Sequence, residues 1–497
     1  MPRTLTLCLI VKDEEQLLPG CLESVAGLID ELVVVDTGST DRTIEIALAA
    51  GAKVIDEPWT DDFSRARNVG LKHATSDFVF WLDADERLDP ACRATLRRLV
   101  DSESDEARPT IYAPIIQNLD ALGRSLGADH MPRLWRRRPE LFFTGRVHER
   151  VGVEVPSVLV RYEDDLRILH LGYDPGIAEA RGKHPRNLRL LELELKDRPD
   201  EPTLLYYVAK EAYATGEDER AADLFRDVVR RAPGLNFALS SYVFGAECLR
   251  SLGRAEEALE LAIEGARKTP TYSELWYAAG QAALDADRPV QAEALFREAK
   301  TPTSGFALSA FRDPDILEYR ADVGLGRALK QQGLIPAAVQ VWESVRSRVP
   351  VGPDRIGLDL DLIEAHLSSG AQDQAWVYLR PLLDLAPEEA TGALLSFIEL
   401  YVQFMGAEKA WVFFTDVARE HGSILRQLPI VAAGIELAEL LGDEDRLTEL
   451  LQIAVHLNTQ SPKHYALLAR ILDGRGQSAA ADAARRAAKR MAELSEA

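Results

Sequence analysis

The sequence predicts an α/β domain with a mostly parallel, Rossmann-like sheet, followed by an all-α solenoid of helical repeats. Apolar runs alternate with helical segments near the N-terminus, and small and large residues recur at a fixed spacing after Pro185. A chain of 497 residues is also too long for one ordinary hydrophobic core. We therefore predict an α/β domain at 1–182, a repeat array at 183–387, and degenerate helical repeats with a C-terminal cap at 388–497.

The N-terminal segments alternate between strand and helix periodicity, which is typical of a sheet built from strand–helix–strand units. They are predicted in the order strand 4–11, helix 17–25, strand 29–35, helix 44–48, strand 53–55, helix 63–74 and strand 78–82. Helices placed between strands in this way indicate right-handed crossovers between parallel neighbours. From 110 to 160 the pattern loosens into short strands and basic loops, including 133–138.

The apolar run 78–82 ends in two carboxylates, Asp83 and Asp85, one residue apart. Because an unpaired buried carboxylate is costly, these side chains must meet water, a cation or a ligand. Ligands of open α/β sheets bind at the carboxyl ends of the strands. The pattern therefore predicts a metal and phosphate site at this strand end.

A dinucleotide-binding fold would share this architecture, but the sequence argues against it. The glycine-rich turn after the first strand is missing, because 12–15 contains no glycine and would repel a pyrophosphate. An acid at the end of the second strand, Asp36, is expected of either fold and does not decide between them.

The overall composition excludes several classes of function. A formal net charge of -22 argues against broad nonspecific binding to nucleic acid or to an anionic membrane. No segment has the charge-free apolar length of a spanning helix, since the best one, 430–441, contains Glu436 and Glu439. Scattered cysteines lack both disulfide-framework density and zinc spacing. We predict a cytoplasmic protein without a transmembrane segment.

A recurring order of small, large and proline residues begins after Pro185 and resembles the tetratricopeptide (TPR) repeat, with roughly 34 to 37 residues between adjacent registers. The registers are marked by Ala209, Ala221, Phe225, Pro233, Ala246, Ala258, Pro270, Gly280, Ala292, Phe296, Gly326, Ala338, Trp342, Pro350, Gly370, Ala375, Leu379 and Pro387. Small residues let paired helices approach closely, and large residues fill the remaining space. Trp276, Trp342 and Trp376 are accordingly predicted to be core residues.

Four N-terminal motifs resemble those of glycosyltransferase family 2, in the family's order and spacing. They occupy 7–15, 34–41, 63–68 and 81–86, and the resemblance extends over about the first third of the chain. The resemblance implies a GT-A fold, a nucleotide-sugar donor of the UDP-sugar type and a divalent cation. It also implies hexosyl transfer with inversion at the anomeric carbon.

The resemblance further implies roles for single residues. Asp85 matches the metal ligand, Asp83 would contact the donor ribose or the metal, and His170 would complete the metal site or bind the diphosphate. The implied donor-binding residues are Val11, Asp13, Asp36, Arg67, Asn68 and Asp83. Hard oxygen ligands suit Mn²⁺ or Mg²⁺, which can bridge the phosphates of a leaving nucleotide. Asp41 is instead predicted to be a structural carboxylate at a helix start.

An inverting displacement needs a base that deprotonates the acceptor, and the sequence offers two adjacent candidates. The segment 145–149 resembles the His-Glu segment of a branch that includes lipopolysaccharide-core glucosyltransferases and some peptide glycosyltransferases. Glu149 is the predicted base, because a carboxylate is already deprotonated near neutral pH, and His148 is the alternative. A structural ion pair of Glu149 with Arg146 or Arg150 is the competing interpretation.

The repeat array suggests what the enzyme acts on, since solenoids present long surfaces suited to extended peptides. We predict a protein or peptide acceptor recruited by the repeats, with a lipid-linked or lipopolysaccharide-type saccharide as the alternative. A hypothesis of another class is a TPR scaffold with an inactive nucleotide-binding domain. A nucleotidyltransferase is disfavoured because the first loop lacks a basic, glycine-rich signature. The oligomeric state is left open.

Overall fold

The computed structural model describes residues 2–102, 108–119, 125–152, 155, 157–171, 183–301, 313–421 and 427–495. The chain divides into two compact units, Met1–Cys248 and Leu249–Ala497. The domain boundaries that the sequence predicts at 182/183 and 387/388 stay predictions. The turn after Leu171, the repeat insertion over 302–312 and the last two residues of the chain lie outside the described residues.

The first half of the sheet is parallel, as the sequence predicts. Its strands and the intervening helices are β1 (Leu5–Val11), α1 (Leu18–Ser24), β2 (Glu31–Asp36), α2 (Thr43–Ala49), β3 (Lys53–Asp56), α3 (Phe63–His73) and β4 (Phe78–Trp81). The strand order is β3-β2-β1-β4, and each of these neighbours pairs in parallel. The carboxyl ends of all four strands therefore lie at one edge of the sheet, which is where the predicted site residues are found.

The second half of the nine-stranded sheet is mixed, so the expected parallel character holds for the first half alone. Its elements are β5 (Glu86–Leu88), a 3₁₀ turn (Pro90–Cys92), α4 (Arg93–Ser102), β6 (Thr110–Leu119), β7 (Ser125–His130), β8 (Leu134–Arg136) and β11 (Leu159–His170). The order continues β4-β8-β6-β11-β5, with β7 paired to β6. The sheet is mixed because β8 enters antiparallel between β4 and β6, while β5 runs antiparallel to β11. A separate two-stranded hairpin comprises β9 (Phe143–Thr144) and β10 (Arg150–Val151).

The core explains why the central strands read as continuous apolar runs. Every residue of β4 is buried, and β1 is buried except for Ile10, which is partly exposed. One face of the sheet packs on α1 and α4, and the other face places Trp81 and Trp135 against Phe143 of the hairpin. A strand buried on both faces needs side chains that are apolar or hydrogen-bonded, and Thr6 within β1 is of the second kind because its hydroxyl donates to a carboxylate.

Helices after the sheet complete the first unit. They are α5 (Lys183–Asp197), α6 (Pro202–Ala214), α7 (Asp218–Arg231) and the first part of α8 (Asn236–Ser251). Leu190 and Leu191 of α5 and Val208 of α6 form an apolar cluster with Val147, which lies in the loop of the β9–β10 hairpin. The same cluster includes the partly buried Trp59. Burial of these side chains holds α5 and α6 against the hairpin loop.

The second unit is built from antiparallel helical pairs, as the repeat pattern predicts. Its helices are α9 (Ala255–Lys268), α10 (Ser273–Asp285), α11 (Pro289–Ala299), a π-helical turn (Ile316–Arg320), α12 (Ala321–Gln331), α13 (Ile335–Arg346), α14 (Pro353–Ser368), α15 (Gln372–Leu382), α16 (Pro387–Met405), α17 (Ala407–Glu420), α18 (Leu428–Leu441), α19 (Glu444–His456), α20 (Pro462–Gly474) and α21 (Ser478–Ser495). Among the described residues, no helix has the length and apolar character needed to cross a membrane.

Glycine and aromatic residues pack against each other within these pairs. A Cβ atom on Gly280 would lie 2.7 Å from the Phe296 ring, and one on Gly326 would lie 2.1 Å from Nε1 of Trp342. Both separations are far below van der Waals contact, so only glycine fits at these positions. The contacts confirm the predicted arrangement, in which a small residue on one helix receives a large residue from its partner.

The predicted burial of the tryptophans is correct for one of three. Trp342 is fully buried and donates a hydrogen bond from Nε1 to the carbonyl oxygen of Val323. Trp276 and Trp376 are only partly buried. Trp276 lies across the preceding turn, where its Nε1 donates to the carbonyl oxygen of Pro270 at 2.7 Å, so the indole nitrogen needs no place in the core.

Candidate active site

The two carboxylates at the end of β4 are carried by a tight turn into β5. The backbone N–H of Glu86 donates to the carbonyl oxygen of Asp83 at 2.9 Å and closes this turn. Next, β5 pairs with β11 so that Glu86 faces His170, and the N–H of Leu171 donates to the carbonyl oxygen of Asp85 at 3.0 Å. The antiparallel pairing therefore brings Asp85 beside His170, although 85 residues separate them in the chain.

Asp85 and His170, two of the three predicted metal residues, lie next to each other. Oδ2 of Asp85 lies 3.6 Å from Nε2 of His170, which is longer than a hydrogen bond. Nδ1 of His170 lies 2.8 Å from Oδ1 of Asn118, and a carbonyl oxygen there makes Nδ1 the donor. Nε2 of the neutral ring therefore carries the lone pair. Burial lowers the pKa of His170, but the neighbouring Asp85 outweighs it and the net shift is upward.

Arg67 on α3 joins two of the predicted site residues. Its Nε donates to Oε1 of Glu149 at 2.5 Å, and its Nη2 donates to Oδ1 of Asp83 at 3.0 Å. The guanidinium also lies over the rings of Trp81 and Phe143, at 5.3 and 5.5 Å from the ring centroids. The side chain is only 8% exposed, and the two carboxylates raise the pKa of Arg67 despite its burial.

Asp83 is consequently an ion-paired residue rather than an open ligand. Besides Arg67, Nη2 of Arg133 lies 3.6 Å from its Oδ2, and Arg133 itself makes a bidentate pair with the buried Glu86 at 2.7 and 3.2 Å. Burial opposes ionisation of Asp83, but the two guanidinium groups outweigh it and lower its pKa to about 2. For Glu86, burial dominates over Arg133 and the pKa is raised.

The loops after β1 and β2 carry the predicted nucleoside-binding residues and are linked to each other. The carboxylate of Asp36 accepts hydrogen bonds from the N–H groups of Gly38 and Ser39, both at 3.0 Å. The carboxylate of Asp13 accepts from the N–H of Thr40 at 2.7 Å. The structure thus brings the two acids to one edge, as predicted, but uses their oxygens to hold the loops.

Three further predicted residues of this edge are engaged with the backbone. The carbonyl oxygen of Val11 accepts from the N–H of Thr37 at 3.0 Å. The side-chain amide of Asn68 donates to the carbonyl oxygen of Phe143 at 2.9 Å and accepts from its N–H at 2.8 Å, so it holds β9. Asp41 accepts from the N–H of Thr43 at 2.9 Å and is structural, as predicted. Donor contacts of Val11 and Asn68 stay predictions.

The loop between β9 and β10 directs the two candidate bases to different neighbours. His148 adopts a left-handed backbone conformation with φ of 51°, which is uncommon for a residue with a side chain. The Glu149 carboxylate contacts Arg67, whereas the His148 ring stacks on Tyr207 with 4.4 Å between ring centroids. Nε2 of His148 lies 3.3 Å from Oε1 of Glu211 on α6. The expected ion pair of Glu149 with Arg146 or Arg150 is thus replaced by one with Arg67.

Sequence reasoning missed three residues that the structure adds to this region: Glu86, Arg133 and Glu211. Arg133 was visible only as part of a basic run, and Glu86 only as the residue after the acidic pair. The signal that could have found them is chemical, since Arg133 and Glu86 are both too polar to be buried without a partner. Glu211 lies within a repeat register, where its burial could not be told from that of its apolar neighbours.

The ligands on the sheet edge fit a divalent cation that takes its other ligands from water and substrate. Among the described residues, no group of three or more His, Cys, Asp or Glu side chains is arranged to hold a metal ion. Asp85 and His170 offer a carboxylate oxygen and an imidazole nitrogen whose lone pair is fixed by Asn118. Two protein ligands suit a cation that takes its remaining ligands from water and substrate phosphates. The residues present therefore fit a substrate-completed site.

Comparisons with known proteins agree with the geometry of this edge. Residues 6–151 match the family model described as Glycosyl transferase family 2. The chain carries a glycosyltransferase family 2 domain at its N-terminus, and helical repeats of the TPR type follow it. The match assigns residues 6–151 to the class of family 2 glycosyltransferase domains.

One similar protein is named for its repeats and another for its glycosyltransferase activity. A TPR repeat-containing protein of Synechococcus elongatus is 37% identical over 207 residues, covering 40% of this chain and 50% of that protein. The glycosyltransferase SunS of Bacillus phage SPbeta is 27% identical over 235 residues, covering 47% of this chain and 55% of SunS. The chain spans about half the length of these relatives. A solved structure of Pseudomonas aeruginosa pilF overlaps 46% of this chain and 92% of its own, with 16% identity and a TM-score of 0.34.

Proposed function

We propose that this protein is a metal-dependent, inverting hexosyltransferase that uses a nucleotide-sugar donor, with a UDP-sugar as the expected type. The observation that carries the proposal is the turn after β4, which holds Asp83 in an arginine network and Asp85 next to His170 at the carboxyl edge of a family 2 domain. Transfer from a sugar diphosphate develops negative charge on the leaving group, so a site of this kind needs positive charge beside open ligands.

Asp85 and His170 are the residues that would hold the cation, together with the donor's phosphates. When bound, a divalent cation supplies neutralisation of charge on the leaving diphosphate. Asn118 contributes by fixing the His170 tautomer, so that Nε2 carries the lone pair that a metal ligand needs. Asp83 is proposed to contact the donor ribose rather than the metal, because both its oxygens already face guanidinium groups.

The nucleoside is proposed to lie against the linked loops after β1 and β2. Asp36, Asp13 and Val11 line this region, and the hydrogen bonds between the loops hold it in one conformation before a donor arrives. Binding to a preformed pocket avoids the entropy cost of ordering loops on association. Arg67 and Asn68 complete the donor side, the first through its contact with Asp83 and the second by holding β9.

Glu149 is the proposed base, with His148 as the alternative. Arg67 bonds Oε1 of Glu149 and Oδ1 of Asp83, so the carboxylate of the base is fixed relative to the donor side. Fixed geometry favours proton removal from an attacking group, because the orientation of the base costs no further entropy during the reaction. The proton of the acceptor would pass to the carboxylate as the acceptor attacks the anomeric carbon and the nucleoside diphosphate departs.

The acceptor is proposed to be a protein or peptide recruited by the repeats. Helical pairs such as α10–α11 and α12–α13 stack side by side in solenoids, and such arrays bind extended peptides on their surfaces. A saccharide acceptor remains the alternative outcome of an acceptor screen. The cytoplasmic setting also stays a prediction.

A donor screen tests this proposal directly. The full chain is incubated with a panel of nucleotide sugars in the presence of Mn²⁺, Mg²⁺ or a chelator, and release of the nucleoside diphosphate is measured. We expect release with one donor class, loss with the chelator, and loss in Asp85→Ala. The matched control is Asp89→Ala, whose carboxylate caps the 3₁₀ turn four residues away. No release with any donor, together with no metal-dependent nucleotide binding, would support the inactive scaffold instead.

A further inference from the structure

His148 and Glu149 are adjacent in the chain but contact different neighbours, and the proposed function does not use the polar partners of His148. The ring is stacked on Tyr207, and 34% of the side chain is exposed. Its Nε2 lies 3.3 Å from Oε1 of Glu211, which is on α6, outside the residues matched by the family model. A catalytic-domain loop thus shares a buried carboxylate with the first helices after the sheet.

Glu211 is held by several donors and is only 7% exposed. Besides His148, Nδ1 of His184 lies 2.7 Å from its Oε2, and Nδ2 of Asn187 donates to its Oε1 at 3.1 Å. Burial opposes ionisation of Glu211, but the hydrogen bonds from His148, His184 and Asn187 outweigh it and lower its pKa to about 2. The carboxylate is therefore ionised at neutral pH and can only accept hydrogen bonds.

An acceptor-only partner fixes the tautomer of His148. Nε2 must carry the proton that is donated to Glu211, so in the neutral ring Nδ1 carries the lone pair. The left-handed backbone at His148 and the stack on Tyr207 restrict the ring further. A histidine oriented by a buried carboxylate is a recurrent way of presenting one ring nitrogen to a reacting group.

The loop that carries His148 is held by the same two helices. Val147 is buried in the apolar cluster of α5 and α6, and the N–H of Arg146 donates to Oε2 of Glu194 on α5 at 2.7 Å. On its other side, the carbonyl oxygen of Arg146 accepts from the N–H of Phe63 at 2.9 Å. His148 is thus bounded by the helices on one side and by Glu149, which faces the donor side, on the other.

We propose that Glu211 is a positioning residue for His148, and that the Nδ1 atom of His148 accepts a hydrogen bond from the attacking hydroxyl or thiol group of the acceptor. This inference rests on the proposed function and extends it, because it makes α6 part of the transfer site instead of only the start of the helical repeats. Glu149 would remain the group that takes the proton, while His148 orients the attacking atom.

The tautomer of His148 can be measured without knowledge of the acceptor. Nitrogen-15 spectra of the full chain labelled at histidine report which ring nitrogen is protonated, and His148→Asn identifies the resonance because Asn tolerates the left-handed backbone. We expect protonated Nε2 in the wild type and in Glu194→Gln, which alters the same loop without touching His148. In Glu211→Gln we expect this signature to be lost. Protonated Nδ1 in the wild type, or an unchanged signature in Glu211→Gln, would overturn the proposal.

Donor hydrolysis, with water as the attacking group, tests whether the pair takes part in the reaction. With UDP-sugars as the probe, we expect Glu211→Gln and His148→Asn to lower kcat about tenfold while the KM for the donor stays within about twofold. Glu211→Asp should restore part of the rate, and Glu194→Gln should resemble the wild type. Equal losses in Glu194→Gln and Glu211→Gln would reduce Glu211 to a loop anchor and contradict the proposal.

The two tests also separate this inference from the proposed function. A wild type that hydrolyses no nucleotide sugar, but shows the expected tautomer, contradicts the proposed function and with it any role of His148 in transfer. A wild type that hydrolyses a donor while both variants at the pair match it contradicts the inference alone. Circular dichroism on each variant excludes unfolding as the cause of a loss, and His148→Asn serves where Glu211→Gln does not fold.

Discussion

Buried ion pairs occur both at the edge of the sheet and within the helical repeats, but they are completed differently. In the repeats, the carboxylate of Asp359 is 1% exposed and takes both donors of Arg346, at 2.6 and 2.8 Å. At the sheet edge, Arg67 is shared between two carboxylates, and the neighbouring Asp85 has a histidine nitrogen no closer than 3.6 Å. In the repeats, Arg346 bonds both oxygens of one carboxylate and Arg355 adds a second cation at 3.6 Å, and we call this network closed. At the sheet edge, one arginine is divided between two carboxylates, and we call this network open.

This difference shows that burial of charge alone does not mark a functional site. In a closed pair such as Arg346–Asp359, the attraction between the two charges offsets the cost of removing them from water. The pair also contributes to the packing of α13 against α14. In an open network, the proposed function requires a bound ligand to complete the charge. The predictions below test whether the two networks differ in this way.

The largest effect is expected at Arg67. Arg67→Met leaves the partly buried carboxylates of Asp83 and Glu149 without their shared cation, so we expect the free energy of unfolding to fall by about 3 kcal/mol, the low end for a fully buried pair. Nucleotide release should fall at least about 100-fold, because both donor and base sides lose their alignment. Urea unfolding and a nucleotide-release assay measure the two quantities.

The matched variant in the repeats is Arg346→Met. It should also destabilise the protein, since the buried Asp359 then keeps only Arg355, whose Nε lies 3.6 Å from its Oδ2. Nucleotide release by the folded protein should stay at the wild-type level. Loss of release in Arg346→Met, or full activity in Arg67→Met, would show that the distinction between open and closed networks is wrong.

The next effect in size is expected at the base. Glu149→Gln keeps a hydrogen-bond acceptor for Arg67 but removes the carboxylate that takes the proton, so turnover should fall about 100-fold while nucleotide binding persists. Single-turnover transfer and nucleotide titration measure these separately. Glu140→Gln, which removes an exposed carboxylate that is 44% accessible, is the control and should leave both unchanged. Normal turnover in Glu149→Gln would exclude Glu149 as the base.

A packing change in the repeats should affect stability and leave the chemistry intact. Gly326→Ala forces a methyl group to within 2.1 Å of Trp342, so we expect destabilisation of about 1–3 kcal/mol. Gly357→Ala, in the middle of α14, meets its nearest atom only at 3.7 Å and should stabilise the helix by up to about 1 kcal/mol. Thermal unfolding of both variants checks the opposite signs, and equal shifts would contradict the close-packing argument.

The smallest effect is a dependence of local stability on pH. Glu211 has a pKa of about 2 in the folded protein against 4.5 for an exposed glutamate. A lowered pKa adds stability that is present above the unfolded value and lost as pH falls towards the folded one, so about 2 kcal/mol should disappear between pH 5 and pH 3. Hydrogen exchange in peptides covering α6 measures this loss. The loss should be absent in Glu211→Gln, and an equal loss there would assign it to other groups.

Local periodicity explains which parts of the molecule could be predicted from its sequence. Each of β1, β2, β3 and β4 is a short apolar run between helical segments, and Asp83 and Asp85 end such a run, so neighbouring residues carry the whole signal. The glycine and aromatic positions of the repeats are equally local, because each pair spans one helix and the next.

The remaining features depend on contacts between distant positions. Arg133 and Glu86 are 47 residues apart, and His148 and Glu211 are 63 apart. The partner of Glu149 could not be inferred either, since Arg67 reaches it from α3 while the nearby Arg146 turns towards Asp197. The antiparallel pairing of β8 with β4 is likewise set by tertiary contacts. A strand of three residues is too short to show a periodic pattern in the sequence.

The apolar cluster around Val147 has a practical consequence for producing this protein as fragments. A recombinant fragment that stops at the end of the sheet would present Val147 and Trp59 to water and would lose the glutamates that hold the hairpin loop. Such a fragment should aggregate or bind chaperones during expression. The shortest useful fragment has to continue past Ala214, where α6 ends. Such a fragment keeps the sheet together with α5 and α6, although these helices look like the beginning of a separate module.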